Sequence, residues 1–173
     1  MAFSAVREFE KALQAQSANF AVNASTPKAT LRLGEPFRFS VQSERAGHLT
    51  VLAVQSDGLL AQVVPNKRSG PVRVRAGQAW QFPGRDGFVL EASEPAGLTQ
   101  FLFLVSAEPR SFEAMKPRDE GDIVVFASGD AATAAVVAHT GPGSVLTGRA
   151  NCAAGAACDA SYGAALVKVE VVR

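Results

Sequence analysis

From residue 30 onward the apolar residues recur at every second position, in short runs that end at Gly, Pro, Asp or Ser. No other feature restricts the fold of this chain as much. In "ATLRLGEPFRFSVQSERAG", Leu31 and Leu33 flank Arg32, while Phe37, Phe39 and Val41 alternate with Arg38, Ser40 and Gln42; Gly-Glu-Pro separates the two runs. A period of two sends one set of side chains to each side of an extended chain, so each run reads as a half-buried β-strand. "GHLTVLAVQSDGLLAQVVPN" supplies two more strands, residues 48–55 and 59–64. They flank Ser56-Asp57-Gly58, where glycine offers the positive φ of a tight turn and the short Asp57 side chain holds nearby amides. Pro65 has no N–H to give to a ladder, so the second strand stops there and Asn66 opens a polar loop, "NKRSG". The runs "PVRVRAG", "AWQFPG", "GFVLEAS", "TQFLFLVSA" and "DIVVFAS" follow, "SVLTGRA" is strand-like, and "YGAALVKVEVVR" reads as a last strand. Short strands at such spacing predict a mainly β, antiparallel β-sandwich-like domain.

Two or three short helices interrupt this pattern. Phe3, Val6, Phe9 and Leu13 lie at near-helical spacing, with Arg7, Glu8 and Lys11 around the other side, which predicts an amphipathic helix over residues 3–16. Residues 1–18 are then either an element packed on the domain or the end of a linker, and residues 19–173 form one domain. "PRSFEAMK" at 109–116 is long enough for a turn or two. "DAATAAVVAHT" at 130–140 is Ala-rich, starts at Asp130 as a cap, and meets the breakers Gly141-Pro142-Gly143.

At 173 residues with 47% hydrophobic and 19% charged side chains, the chain can bury one core. Its net charge is +1 and its 17 basic side chains are spread along the sequence rather than gathered in a block, which argues against nucleic acid or an anionic membrane surface as its partner. No run approaches the ~18 apolar residues of a membrane span, and "MAFSAVREFEKAL" lacks the layout of an export signal. The two cysteines, Cys152 and Cys158, sit in "NCAAGAACD" among small residues that let the chain fold back. A disulfide is the expectation, worth about 2 kcal/mol by loop-closure entropy, and it implies an oxidising compartment. The missing signal is then expected to mean a fragment of a longer exported or anchored protein.

Chemistry-bearing residues are sparse. A Cys-His nucleophile would draw on Cys152 or Cys158 with His48 or His139, but two cysteines in one flexible loop suit a bridge better. The same four residues lack the close paired spacing of a structural zinc site, so no metal or other cofactor is expected. "HTGPGSVLTGR" lacks the Lys-Ser/Thr end of a phosphate-binding loop and reads as a connector. Asp119, Glu120 and Asp122 lie beside Lys116 and Arg118, which reads as a self-neutralising loop rather than an acid/base pair. What remains is binding surface. Asn66, Lys67 and Arg68 in "PNKRSGP", and Arg85 with Asp86 in "PGRDG", fall on connections between strands, where sandwiches present recognition residues. Trp80, the only tryptophan, is either a contact anchor or a core residue.

In order, "LRLGEPFRFSV", "AGHLTVLAVQSDGLLAQVVPN", "VRAGQAWQFP" and "EPAGLTQFLFLVSAEP" carry a resemblance to the bacterial domain of unknown function numbered four-three-eight-four. The matching positions are Gly47, Asp57, Gly58, Pro65, Asn66, Ala76, Gly77, Pro83, Glu94, Pro95, Gly97 and Gln100, across residues 30–109, and more loosely the tail "DASYGAALVKVEVV". His48 departs from the pattern, which places a large aromatic there. The resemblance implies an accessory module attached to bacterial kinases, caspase-like peptidases or type VI secretion-associated and envelope proteins, with no catalysis of its own. The expectation is therefore a periplasmic or extracytoplasmic binding or sensory module that docks a protein or cell-wall component through strand-end loops or a sheet edge. Two alternatives stand beside it: a metal-dependent or Cys/His hydrolase, and a structural spacer packed on its host through the N-terminal helix.

Overall fold

Strand β8 (Gly97–Ser106) explains the architecture. Its "FLFLV" segment is apolar at every position, which a strand tolerates only when both faces are covered. Phe101, Phe103 and Val105 point into one core and Leu102 and Leu104 into another. The computed structural model describes residues 3–85, 87–141, 143–153 and 157–173.

The remaining strands are β1 (Val22–Ser25), β2 (Thr30–Arg32), β3 (Phe39–Ser43), β4 (Gly47–Val54), β5 (Leu60–Val64), β6 (Arg73–Val74), β7 (Trp80–Phe82), β9 (Arg110–Ser111), β10 (Arg118–Glu120), β11 (Ile123–Val125), β12 (Arg149–Ala150) and β13 (Tyr162–Val172). The large sheet runs β10-β11-β5-β4-β8-β13-β2, with β6 also on β4. Pairing is antiparallel except where β2 joins β13, Val171 opposite Leu31. The longest ladder joins β13 to β8, from Tyr162 opposite Ser106 to Val171 opposite Gly97. A small antiparallel sheet, β1-β3-β7, covers one face, and β9 and β12 form a separate two-stranded ribbon.

Between the two sheets lies an aromatic core. Phe39 sits 4.6 Å from Phe101 and 5.2 Å from Phe103, centroid to centroid, and Phe37 meets Phe101 edge-on at 4.9 Å. The opposite face is covered by helix α1 (Ala5–Gln14), helix α2 (Gly129–Ala138) and two 3₁₀ turns, Glu113–Met115 and Val145–Thr147. The sandwich thus has a helical third layer. α1 is packed rather than a linker: Phe9 and Ala12 are fully buried, and the Tyr162 hydroxyl donates to the Ala12 carbonyl at 2.7 Å. Ser4 caps it by accepting from the Arg7 N–H.

Several sequence expectations change in detail. "GFVLEAS" makes no strand, only an isolated bridge of Glu91 to Pro36, and "SVLTGRA" becomes a 3₁₀ turn followed by the short β12. In both, apolar residues anchor an irregular segment to a core: Phe88 and Ala92 in one, Val145 and Leu146 in the other. "PRSFEAMK" gives the 3₁₀ turn at Glu113–Met115 after β9, and β1, which lacks a clear alternation, appears before Pro27. Asp130 lies inside the first turn of α2, with Ser128 at the cap position. The predicted breaker Pro142 lies outside the described residues.

Candidate functional site

The "SDGLLAQVVPN" stretch folds as its residues dictate. Gly58 takes φ +88°, and the Asp57 carboxylate accepts from the Leu59 N–H at 3.0 Å. Asn66, expected as a loop contact, is instead buried at 7% exposure. Its Oδ1 accepts from the Arg68 and Ser69 N–H groups, each at 2.9 Å, and its Nδ2 donates to the Val63 carbonyl at 2.9 Å. An Asx side chain with both ends bonded to backbone locks a turn, and the Pro-Asn tail is therefore structural. Lys67 and Arg68 are exposed and face the β10–β11 hairpin, with Lys67 Nζ 3.7 Å from Asp119 and Arg68 Nε 3.5 Å from Asp122. Arg118 pairs with Glu120 at 2.9 Å. The three carboxylates are thus neutralised by cations from two directions, and such exposed pairs contribute at most about 1 kcal/mol each. Arg85 is exposed; Asp86 lies outside the described residues. Trp80 is half-buried on the aromatic core, 6.1 Å from Phe82.

Cys152 and Cys158 are bridged. Both sulfurs are bonded to each other, which leaves neither as a thiolate for a nucleophile or a metal. The residues after the bridge are held in place: Asp159 accepts from Ser161 Oγ at 2.5 Å, from the Ser161 N–H at 3.0 Å and from Arg45 Nη2 at 3.0 Å. Those bonds, the Ser161 hydroxyl first, hold the Asp159 carboxyl down at about 2. Arg45 also lies 4.6 Å over the Phe20 ring. His48 is a sheet residue whose Nε2 meets Arg73 Nη1 at 3.1 Å; burial, then the nearby Arg73 charge, lowers its pKa. Among the described residues no group of three His, Cys, Asp or Glu side chains is placed to hold a metal.

The structure adds a site that the loop residues do not. α2 is apolar on nearly every side, yet only Ala132 and Ala135 are buried. Ala134 and Ala138 are exposed, and Val137 is 80% exposed. A helix without a polar face is ordinarily covered all round. Beside it runs a groove of about 950 Å³, floored by Phe112, Ala131, Ala134, Ala135, Ala138 and Val145. Glu113, Lys116, His139 and Arg149 stand on its margins. Lys116 adopts φ +49°, the one described residue other than glycine in the left-handed region. It is the left-handed residue that closes the Glu113–Met115 turn, its N–H donating to the Glu113 carbonyl. The described residues offer no ion-pair partner to Lys116 or Arg149. His139 Nε2 is shielded from solvent and meets no hydrogen-bond partner among them.

The only sequence signal for this groove was the composition of "DAATAAVVA", too poor in polar residues for a helix with one side in water. Its other wall comes from the 3₁₀ turns near residues 113 and 145, and nothing in the sequence brings those segments together. They meet in the core on the helical side, where Phe112 and Met115 share a cluster with Val145 and Leu146, and a buried hydrogen bond from Ser144 Oγ to Glu8 Oε1 at 2.9 Å ties the second turn to α1.

A mainly β sandwich with a helical layer and an open apolar groove beside α2 defines the architecture of this domain. Residues 30–109 match the family model of the domain of unknown function DUF4384, the family that the strand and turn motifs resemble. No curated protein and no solved structure matches the chain. Every residue that lines the groove falls after the matched segment.

Proposed function

We propose that this domain is a non-catalytic binding or sensory module of a larger bacterial envelope or secretion-linked protein, working outside the cytoplasm and docking its partner in the α2 groove. The observation that carries this reading is the exposed apolar side of α2 beside a groove whose margin holds Lys116 and Arg149, cations with no ion-pair partner among the described residues. The bridged cysteines support an oxidising compartment. No helix among the described residues is long and apolar enough to cross a membrane. The disulfide occupies both thiols that the Cys/His form of the hydrolase alternative would use, and α1, through which the spacer alternative would pack on a host, buries Phe9 and Ala12 in this domain's own core.

The test compares capture from an envelope extract by the wild-type domain, by Ala134→Asp in the groove, and by Lys168→Gln on a distant strand. A component retained by the wild type and Lys168→Gln, but lost by Ala134→Asp, supports the reading. Equal retention by all three overturns it.

A further inference from the structure

The groove also carries information about what fits it. Its volume of about 950 Å³ is at the upper limit of small-molecule sites, and the apolar surface of α2 continues past it to Val137. A compact ligand would fill the groove and leave that surface wet. A glycan strand is a poor match, because the lining offers no exposed Trp, Tyr or Phe ring for a sugar face to stack on: Phe112 is buried. Ala131, Ala134 and Ala138 fall at spacings of three and four, on one side of the helix. Their small side chains allow a second helix to approach closely, with its ridge seated between α2 and the 3₁₀ turns.

Charge narrows the choice. Lys116 and Arg149 are exposed cations without an ion-pair partner among the described residues, and Glu113 is the acid on the same margin. Two cations against one acid favour an occupant with one or two carboxylates beside its apolar stripe, while Glu113 disfavours a long acidic run. Resting on the docking reading above, we infer that the α2 groove receives an amphipathic helical segment of a partner protein, with an apolar stripe against Ala134 and Ala138 and an acidic flank toward Lys116 and Arg149.

The probe is a displayed library of random peptides of about 15 residues, long enough to form a helix once bound. It is selected on the wild-type domain and, separately, on the Lys116→Glu and Lys116→Glu/Arg149→Glu variants; thermal melts confirm folding, and Lys116→Glu alone suffices if the double variant unfolds. The expected wild-type selection is enriched in apolar residues at spacings of three and four with flanking Asp or Glu. Affinity for those peptides falls about tenfold on charge reversal, more steeply at low salt, and the reversed domain selects Lys and Arg instead. Selection of basic or uncharged sequences, of peptides that bind Ala134→Asp equally well, or of none overturns the inference. If that happens while Ala134→Asp still loses its captured envelope component, the occupant was wrongly assigned and the docking reading stands. If Ala134→Asp loses nothing, both fall.

Discussion

The two faces of the large sheet are covered in different ways. Toward the small sheet, interlocked phenylalanines close the interface: Phe37, Phe39, Phe82, Phe101 and Phe103 are each 5% exposed or less. Toward the helices, Leu102 and Leu104 share a core with Phe9 and Ala12 of α1, while α2 leaves one side bare. Strand-on-strand layers interdigitate along their whole length. Helices on a sheet make contact only along a stripe, and a short Ala-rich helix fills little of the space beside it. Both faces bury side chains completely, but only the helical face keeps an apolar side open.

That contrast breaks most visibly at Phe103. Phe103→Ala removes a fully buried ring that faces Phe39, and should lower unfolding free energy by about 3–5 kcal/mol in denaturant titration. A loss under about 1 kcal/mol would mean that the aromatic core is looser than described. Asn66→Ala should come next, at about 1–3 kcal/mol, because it leaves two amides and a carbonyl without their partner. A binding defect without loss of stability would return Asn66 to the role of contact residue.

Acid should separate the Cys loop from both cores. The Asp159 carboxyl titrates near 2 in the folded domain and higher when unfolded, so its contribution is present above about pH 4 and is lost as pH falls toward 2. Asp159→Asn should remove that part of the acid sensitivity, read from melting temperature against pH. An unchanged profile would show that the bonds to Ser161 and Arg45 do not hold the loop in solution. The smallest effect is expected at Ala134: Ala134→Asp on the bare side of α2 should cost about 0.5–1 kcal/mol, the difference in helix propensity alone, even where it abolishes docking. A large loss would mean that this side is covered in the free domain, and the comparison between the faces would fail.

Much of the fold was legible because strand period and turn chemistry are local. Leu31, Phe39, Val51 and Val169 lie where alternation puts them, and Asp57-Gly58 and Pro65 end strands for reasons carried by their own backbones. The disulfide followed from the spacing of two cysteines. Lys67 and Arg68 were expected as recognition residues on a connection between strands, and their charges face Asp119 and Asp122, some fifty residues away in sequence and a few ångströms away in space.

The sequence by itself determined the strand-rich class, the turns, the amphipathic α1 and the bridged loop, since each depends on residues within one turn or one strand of each other. Only the tertiary structure decided that "FLFLV" divides between two cores, that α1 packs on its own domain, that Asn66 is a lock, and that α2 keeps a bare side next to Lys116 and Arg149. Those outcomes depend on which distant segments share a surface, and a periodic pattern specifies that a face is apolar without naming what will cover it.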